Sequence, residues 1–316
     1  MRVLITGSSG QIGTNLGLRL LREGHFVFGV DIRPNTWTDE IPTLLQDLSV
    51  LSHHFKGGIG QAPYPDDLDV VVHLAAHAKV HELVQKPDRA LENVTMTFNV
   101  LEFCRQNTVP IIFSSSREVY GDIHRYITDE SHADFAFTES PYSASKISGE
   151  AFVYSYAQCY DLPYVVFRFS NVYGRFDNDI ERMERVIPLF IRRIGQGTPI
   201  TVYGEDKTLD FTYVDDCVDG VFRAIERLAR SDAINETINL ACGQGETLLT
   251  MAQYVAEELG RTPDISVEPS RVGEVTHYVA DIQKARRLLG YNPTTPLREG
   301  IRRAVAWSRE WKGSPA

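Results

Sequence analysis

The chain has 316 residues, of which 43% are hydrophobic and 23% charged; these are ordinary globular values and exclude wholesale disorder. Its length exceeds what one core usually supports and suits one large or two fused domains. A net charge of −10 with no Lys/Arg-rich block speaks against nucleic acid or an anionic membrane as partner, while leaving room for a local phosphate pocket.

No apolar stretch reaches membrane-spanning length. Cys104, Cys159, Cys217 and Cys242 are widely spaced and form no C-x-x-C pair, so free thiols in a reducing compartment are expected, with no metal site. The opening "MRVLITGSSG" shows no signal-peptide pattern, and a cytoplasmic location is expected.

In chain order, "RVLITG" (2–7), "HFVFGVD" (25–31), "DVVVHLAA" (69–76), "VPIIFSS" (109–115) and "PYVVFRFS" (163–170) are short, branched and almost wholly apolar. Strands buried on both faces of a parallel sheet have this composition. Amphipathic stretches lie between them, "QIGTNLGLRLLREG" and "RALENVTMTFNVLEFCRQN" among them, which predicts βαβ units in a doubly wound α/β sheet. The Gly/Pro-rich run 53–68 reads as a surface loop.

Beyond residue 171 the alternation loosens into a smaller α/β layer. "PITVYGEDKTLDFTYVDD" reads as short strands around a turn, "CVDGVFRAIERLA" as a helix and "ETINLACG" as a strand. "LTMAQYVAEELG" and "DIQKARRLLG" read as further helices. The expected division is 1–170, together with about 210–242, and 171–316.

"LITGSSGQIG" sets Gly7, Gly10 and Gly13 between the first strand and the first helix. Gly7 suits a tight turn, Gly10 a close backbone approach to a pyrophosphate, and Gly13 close helix–strand packing. The helix start would offer free N–H groups to the anion. Glycines at this spacing also fit an ordinary turn, but the flanking strand and helix, with Asp31 closing the second strand, point to a dinucleotide. A carboxylate there binds a ribose diol and repels a 2′-phosphate, which favours NAD over NADP, with Arg33 as the contrary hint. Asp47 suits either an adenine contact or a solvated surface.

"YSASK" puts Tyr142 and Lys146 one helical turn apart. A phenol ordinarily titrates near pH ~10, so a neighbouring ammonium and the positive nicotinamide of a bound dinucleotide are together expected to favour phenolate. Chance produces Tyr-x-x-x-Lys on helices too. Together, "TGSSGQIG", Asp31, "HLAA", "SSSREVYG", "YSASK" and "RFSNVYG" (168–174) resemble the extended short-chain dehydrogenase/reductase family, nearest its nucleotide-sugar epimerases and dehydratases. "VIPLFI" (186–191), "ITVYG" (200–204), "DFTYVDD" (210–216) and "RVGE" (271–274) are similar to that family's substrate half.

The resemblance implies a Rossmann domain holding NAD, a C-terminal sugar-nucleotide domain, and a homodimer through helices at 88–107 and 142–160. It implies catalysis by Ser116, Tyr142 and Lys146, with Glu118 in reserve. NAD contacts would come from Gly7, Gly10, Gln11, Ile12, Gly13, Asp31, Asp47, Leu48, Leu74, Ala75, Ala76, Ser114, Tyr142 and Lys146. Substrate contacts would come from Arg117, Asn171, Arg185, Val186, Tyr203, Arg271 and Glu274. The implied activity is 4-epimerisation of a nucleotide sugar, UDP-glucose or a UDP-uronic acid, through a 4-keto sugar. A decarboxylase or atypical dehydratase using Glu118 at C5 is the alternative, and a reductase of the same fold follows.

"SSSREVYG" (114–121) departs from the pattern of that family's 4,6-dehydratases. Glu118 stands where their base does, but Arg117 replaces the acid, and a guanidinium is a poor proton donor. Arg117 suits either a substrate carboxylate or a local ion pair with Glu118. Leu209 in "TLDF" stands where the resemblance expects a diphosphate-binding arginine, with Arg182 and Arg185 as substitutes or as exposed helical residues.

Overall fold

The computed structural model describes residues 1–50, 67–121, 128–132, 138–177, 183–270 and 275–311. The first half alternates as the apolar runs require. Strand β1 (Arg2–Thr6) leads into α1 (Gln11–Arg22), followed by β2 (Phe26–Asp31) and β3 (Thr43–Leu45). Then come β4 (Val70–His73), α2 (Val80–Gln85), α3 (Asp88–Asn107), β5 (Ile111–Ser116), α4 (Pro141–Tyr160) and β6 (Tyr164–Phe169). The run 53–68 lies almost wholly outside the described residues.

After β7 (Asn171–Tyr173) come α5 (Val186–Gln196), β8 (Ile200–Tyr203), β9 (Thr208–Tyr213) and α6 (Val214–Ala229). β10 (Glu236–Leu240), β11 (Gly245–Thr247), α7 (Leu248–Leu259) and β12 (Ile265–Glu268) follow, and β13 (His277–Tyr278), α8 (Gln283–Leu289) and α9 (Leu297–Glu310) end the series.

One seven-stranded sheet runs β10-β6-β5-β4-β1-β2-β3 with every pairing parallel. The inner strands β1, β4, β5 and β6 bury both faces, as their largely apolar sequences demand. On β1, Val3 and Ile5 join one cluster with Leu16 and Leu20 of α1 and Val218 of α6, while Leu4 joins the opposite cluster with Val100 of α3 and Val153 of α4. Burying each such side chain contributes about 1.5–3 kcal/mol. The chain crosses from β3 back to β4 beside β1, so a crevice opens at the carboxyl ends of β1 and β4.

Strand β9 pairs with β7, β11 and β13, whereas β8 pairs with β12 in a ladder of its own. The turn between β8 and β9 therefore does not make a hairpin. Helices α5 and α9 are amphipathic but are not among the elements expected from the sequence, where α5 sits inside a stretch of mixed character. Pro188 and Gly195 blur α5, although a first-turn proline is tolerated because its missing N–H has no helical partner there. Gly300 blurs α9, and it is needed: a Cβ there would lie 1.9 Å from the Tyr173 hydroxyl.

Candidate active site

At the crevice, Gly7 turns with φ +73°, and a Cβ on it would come within 2.7 Å of the Ala75 nitrogen. A Cβ on Gly13 would meet the Gly7 oxygen at 2.3 Å. Thr6 fixes the opposite wall: its hydroxyl contacts His73 Nδ1 at 2.7 Å and accepts the Ala75 N–H at 3.2 Å, and its carbonyl accepts Leu74 N–H at 3.1 Å. Burial pushes the His73 imidazole down to about 3, so it stays neutral. The half-buried Leu74, Ala75 and Ala76 thus border the glycine turn.

Helix α1 begins after Gly10 without a side-chain cap. The N–H groups of its first turn and the positive end of its dipole are left for a ligand. Buried Gln11 has no partner for Nε2 among the described residues, and Ile12 packs on the core below.

Asp31, only 8% exposed, accepts Ser9 N–H at 3.0 Å and Arg33 N–H at 3.2 Å. The Arg33 guanidinium reaches the Ser9 carbonyl at 3.4 Å. Asp47 is exposed and accepts both the N–H and the hydroxyl of Ser49, at 2.8 and 2.6 Å. Leu48 is buried, its carbonyl accepting from Asn99 at 2.7 Å.

Helix α4 starts on Ser140, whose hydroxyl accepts Ser143 N–H at 3.2 Å, and this cap sets Tyr142 in the first turn beside the end of β5. Ser116 accepts Glu118 N–H at 3.2 Å, and its hydroxyl is near enough to the Tyr142 phenol to favour the ionised form. Lys146 donates to the Ser114 carbonyl at 2.7 Å, with its ammonium 5.8 Å from the centre of the Tyr142 ring.

Burial lowers Lys146 to about 8. Burial likewise pushes Tyr142 up to about 12; the Ser116 hydroxyl opposes this, the Glu118 charge adds to it, and Arg185 and Arg117 oppose it. The net shift of the phenol is therefore upward. Desolvation of the phenolate outweighs the surrounding positive charge.

Arg117 and Glu118 do form an ion pair, 2.9 Å long, with side chains 11% and 6% exposed. The pair is incompletely satisfied: Arg117 Nη1 and Glu118 Oε2 are buried without a hydrogen-bond partner among the described residues. The Arg117 guanidinium also lies 5.9 Å from the Tyr278 ring centre.

Arg185 is not on an exposed helical face. It precedes α5, contacts Asp177 at 3.0 Å and donates to the side-chain oxygen of Gln11, so it reaches the start of α1. Val186 and Tyr203 are half-buried, and Asn171 donates to the Asp210 carbonyl at 3.2 Å. Leu209 is buried in the core cluster of β9 and supplies no charge. Arg182, Arg271 and Glu274 lie outside the described residues.

The sequence pattern of the NAD-dependent epimerase/dehydratase family matches residues 3–241. The chain belongs to that family. It is 30% identical to UDP-glucuronate 4-epimerase 1 of Arabidopsis thaliana, over 98% of this chain and 77% of that protein. It is 29% identical to a probable UDP-glucuronate 4-epimerase of Rhizobium meliloti, over 97% and 96% of the two chains.

Among solved structures it superposes on Thermus thermophilus UDP-glucose 4-epimerase in complex with NAD with a TM-score of 0.85, at 29% identity over 98% and 100% of the two chains. It superposes equally, at 0.85, on Bacillus cereus UDP-glucuronic acid 4-epimerase with UDP-glucuronic acid and NAD, at 27% identity over 98% and 99%.

The residues present fit NAD. The cradle is closed to side chains at Gly7 and Gly13, the helix start above it is uncapped, and the anchored Asp31 carboxylate has the chemistry to accept from a ribose diol. Asp31→Asn in this family member is expected to lower NAD affinity roughly 10–100-fold, the worth of about 1.5–3 kcal/mol of charge-assisted bonding. The preference over NADP should narrow. Calorimetric titration with both dinucleotides measures the change.

Glu150 and Arg168 were not singled out from sequence. The available signal was spacing, because 142, 146 and 150 repeat at i+4 along one stripe of α4.

Proposed function

We propose that this protein is an NAD-dependent 4-epimerase of a UDP-sugar, with a UDP-uronic acid as the preferred substrate and UDP-glucose as the alternative. The observation that carries the reading is the convergence of Ser116 and Tyr142 at the open end of β5, with Lys146 buried below, held by the Ser114 carbonyl, and the glycine cradle beside it. Bound NAD supplies a reversible hydride acceptor at the sugar's C4. Tyr142 takes the C4 hydroxyl proton while Ser116 holds that hydroxyl, and after the keto sugar turns over Tyr142 returns the proton to the other epimer. Lys146 holds the strand end through Ser114 and keeps positive charge beneath the phenol.

Arg185 and Val186 at the start of α5, with Asn171, Tyr203, Arg271 and Glu274, are assigned to the nucleotide diphosphate, Arg185 taking the place of the cation missing at Leu209. The unpartnered Nη1 of Arg117 supports a substrate carboxylate. Arg117→Met is expected to cut kcat/KM for UDP-glucuronate at least about tenfold more than for UDP-glucose, a charge-assisted bond being worth about 1.5–3 kcal/mol. Equal losses on the two substrates would leave Arg117 as a loop-shaping residue.

The second reading is a lyase in which Glu118 removes the C5 proton, favoured by its unpartnered Oε2. Proton NMR of the purified protein with UDP-, dTDP-, GDP- and CDP-sugars in deuterated water separates the two. A C4 epimer without deuterium at C5 supports the epimerase, whereas C5 exchange or release of CO2 supports the lyase. A reductase would need added cofactor at every turnover.

Buried free thiols at Cys104 and Cys217 fit a reducing cytoplasm. The outer faces of α3 and α4, where Leu91 is exposed, are assigned to a homodimer. Among the described residues no helix is long and apolar enough to cross a membrane.

A further inference from the structure

Beneath the reacting groups lies a polar row that the chemistry above does not use. Ser115 of β5 and Arg168 of β6 are register partners, as are Arg168 and Asn239 of β10, so three adjacent strands carry polar side chains at one level of a buried sheet. Glu150 of α4, 1% exposed, is lowered onto this row. Its Oε1 accepts Ser115 Oγ at 2.5 Å and Arg168 Nε at 2.9 Å, while Oε2 accepts Arg168 Nη2 at 2.7 Å and the Tyr154 hydroxyl at 3.0 Å.

The row continues from Arg168 Nη1 to the Tyr120 hydroxyl at 3.2 Å and from there to Asn239 Oδ1 at 2.6 Å. Asn239 Nδ2 in turn donates to the carbonyls of Thr128 and Asp281, at 3.0 and 3.2 Å. Tyr120 ends the short turn that begins with Arg117 and Glu118.

Burying a carboxylate and a guanidinium together costs several kcal/mol per ion before their mutual attraction is counted, and an apolar pair of similar volume often serves stability as well. Its place in the fold gives this pair another role. Ser115 stands between Ser114, whose carbonyl holds Lys146, and Ser116, which lies beside Tyr142, and Glu150 is one helical turn beyond Lys146 on the same stripe.

We propose that Glu150 is a positioning residue for the epimerisation: clamped by Ser115 and Arg168, its carboxylate sets the end of β5 and the Lys146 ammonium in place beneath Tyr142. This rests on the epimerase reading. Burial alone favours a neutral amine at Lys146, and the Glu150 charge works against that. The other groups facing the ammonium are His73 on β4, neutral and itself lowered by Lys146, the Ser114 carbonyl, and the rings of Phe113 and Tyr142.

The test is Glu150→Gln in the NAD-loaded enzyme. Its kcat is expected to fall at least tenfold at pH 8 with KM within twofold of wild type. The alkaline loss of activity should move to lower pH, because the ammonium is then less well held. Glu150→Asp should recover part of the turnover.

A lysine Cε NMR titration of the protein, assigned with Lys146→Met, should show the Lys146 signal titrating at lower pH in Glu150→Gln, a readout independent of turnover. If Glu150→Gln leaves Arg168 unpaired and does not fold, the double variant Glu150→Gln/Arg168→Met removes both charges. It should fold, yet keep the low kcat and the displaced pH limb. Wild-type kcat and pH profile in either variant, or an unmoved Lys146 titration, would overturn the proposal. No epimerisation by the wild-type protein would instead overturn the reading on which it rests.

Discussion

Tyr142→Phe is expected to lower turnover on a UDP-sugar by roughly 10²–10⁴-fold, the usual worth of a positioned proton-transfer group. The ring stays where α4 and the end of β5 hold it, so NAD retention and melting temperature should change little. Loss of rate without loss of cofactor separates chemistry from folding. The pH dependence follows from the site. Burial holds the free protein's phenol up at about 12, so at neutral pH it carries its proton. Base-limited turnover should therefore rise with pH until the phenol titrates in the loaded complex.

The Ser116 hydroxyl draws that titration downward, and Ser116→Ala should move the rise to higher pH as well as lowering kcat. Stopped assays across pH with both variants provide the measurement. Undiminished turnover in Tyr142→Phe would remove the phenol from the reaction.

The features legible in the sequence were those whose chemistry is local. Gly7, Gly10 and Gly13 announce a backbone that must approach something closely, and Tyr142 and Lys146 announce themselves by helical spacing. The apolar runs of β1, β4, β5 and β6 could only be buried on both faces, and they are. What stayed hidden depends on partners distant in the chain. Glu150 looks like any solvated helical carboxylate until Ser115 and Arg168 are seen across it. Arg185 looked equally suited to an exposed face, and only the fold brings it to Gln11, 174 residues earlier.

Burial's upward push on the Tyr142 phenol was likewise hidden, because sequence shows charges but not the water they lose. Arg117 and Glu118 were legible as two alternatives, and the structure realises the ion pair while leaving one atom of each group unspent.

Gly13→Ala should abolish NAD binding, with affinity reduced at least about a hundredfold, and should lower stability by about 1–3 kcal/mol, the range for overpacking a close-packed site. The added methyl would sit 2.3 Å from the Gly7 oxygen and 2.8 Å from the Ser8 Cα. Both are backbone atoms of the turn assigned to the pyrophosphate, so the strain is relieved only by moving the cradle itself.

Gly10→Ala, whose methyl would meet that oxygen at 3.2 Å, should fold more nearly as wild type and still bind NAD weakly, since the methyl stands on the surface the ligand must approach. Gly24→Ala serves as the control. Gly24 also has a positive φ, +79°, but nothing lies within 4 Å of the added atom. Left-handed strain there costs about 1–2 kcal/mol of stability while NAD affinity is untouched.

Calorimetry with NAD and thermal melts on the three variants thus separate turn strain from loss of the cradle. If Gly13→Ala binds NAD as tightly as wild type, the dinucleotide does not rest on this loop, and the hydride acceptor would have to be placed somewhere other than beside Tyr142.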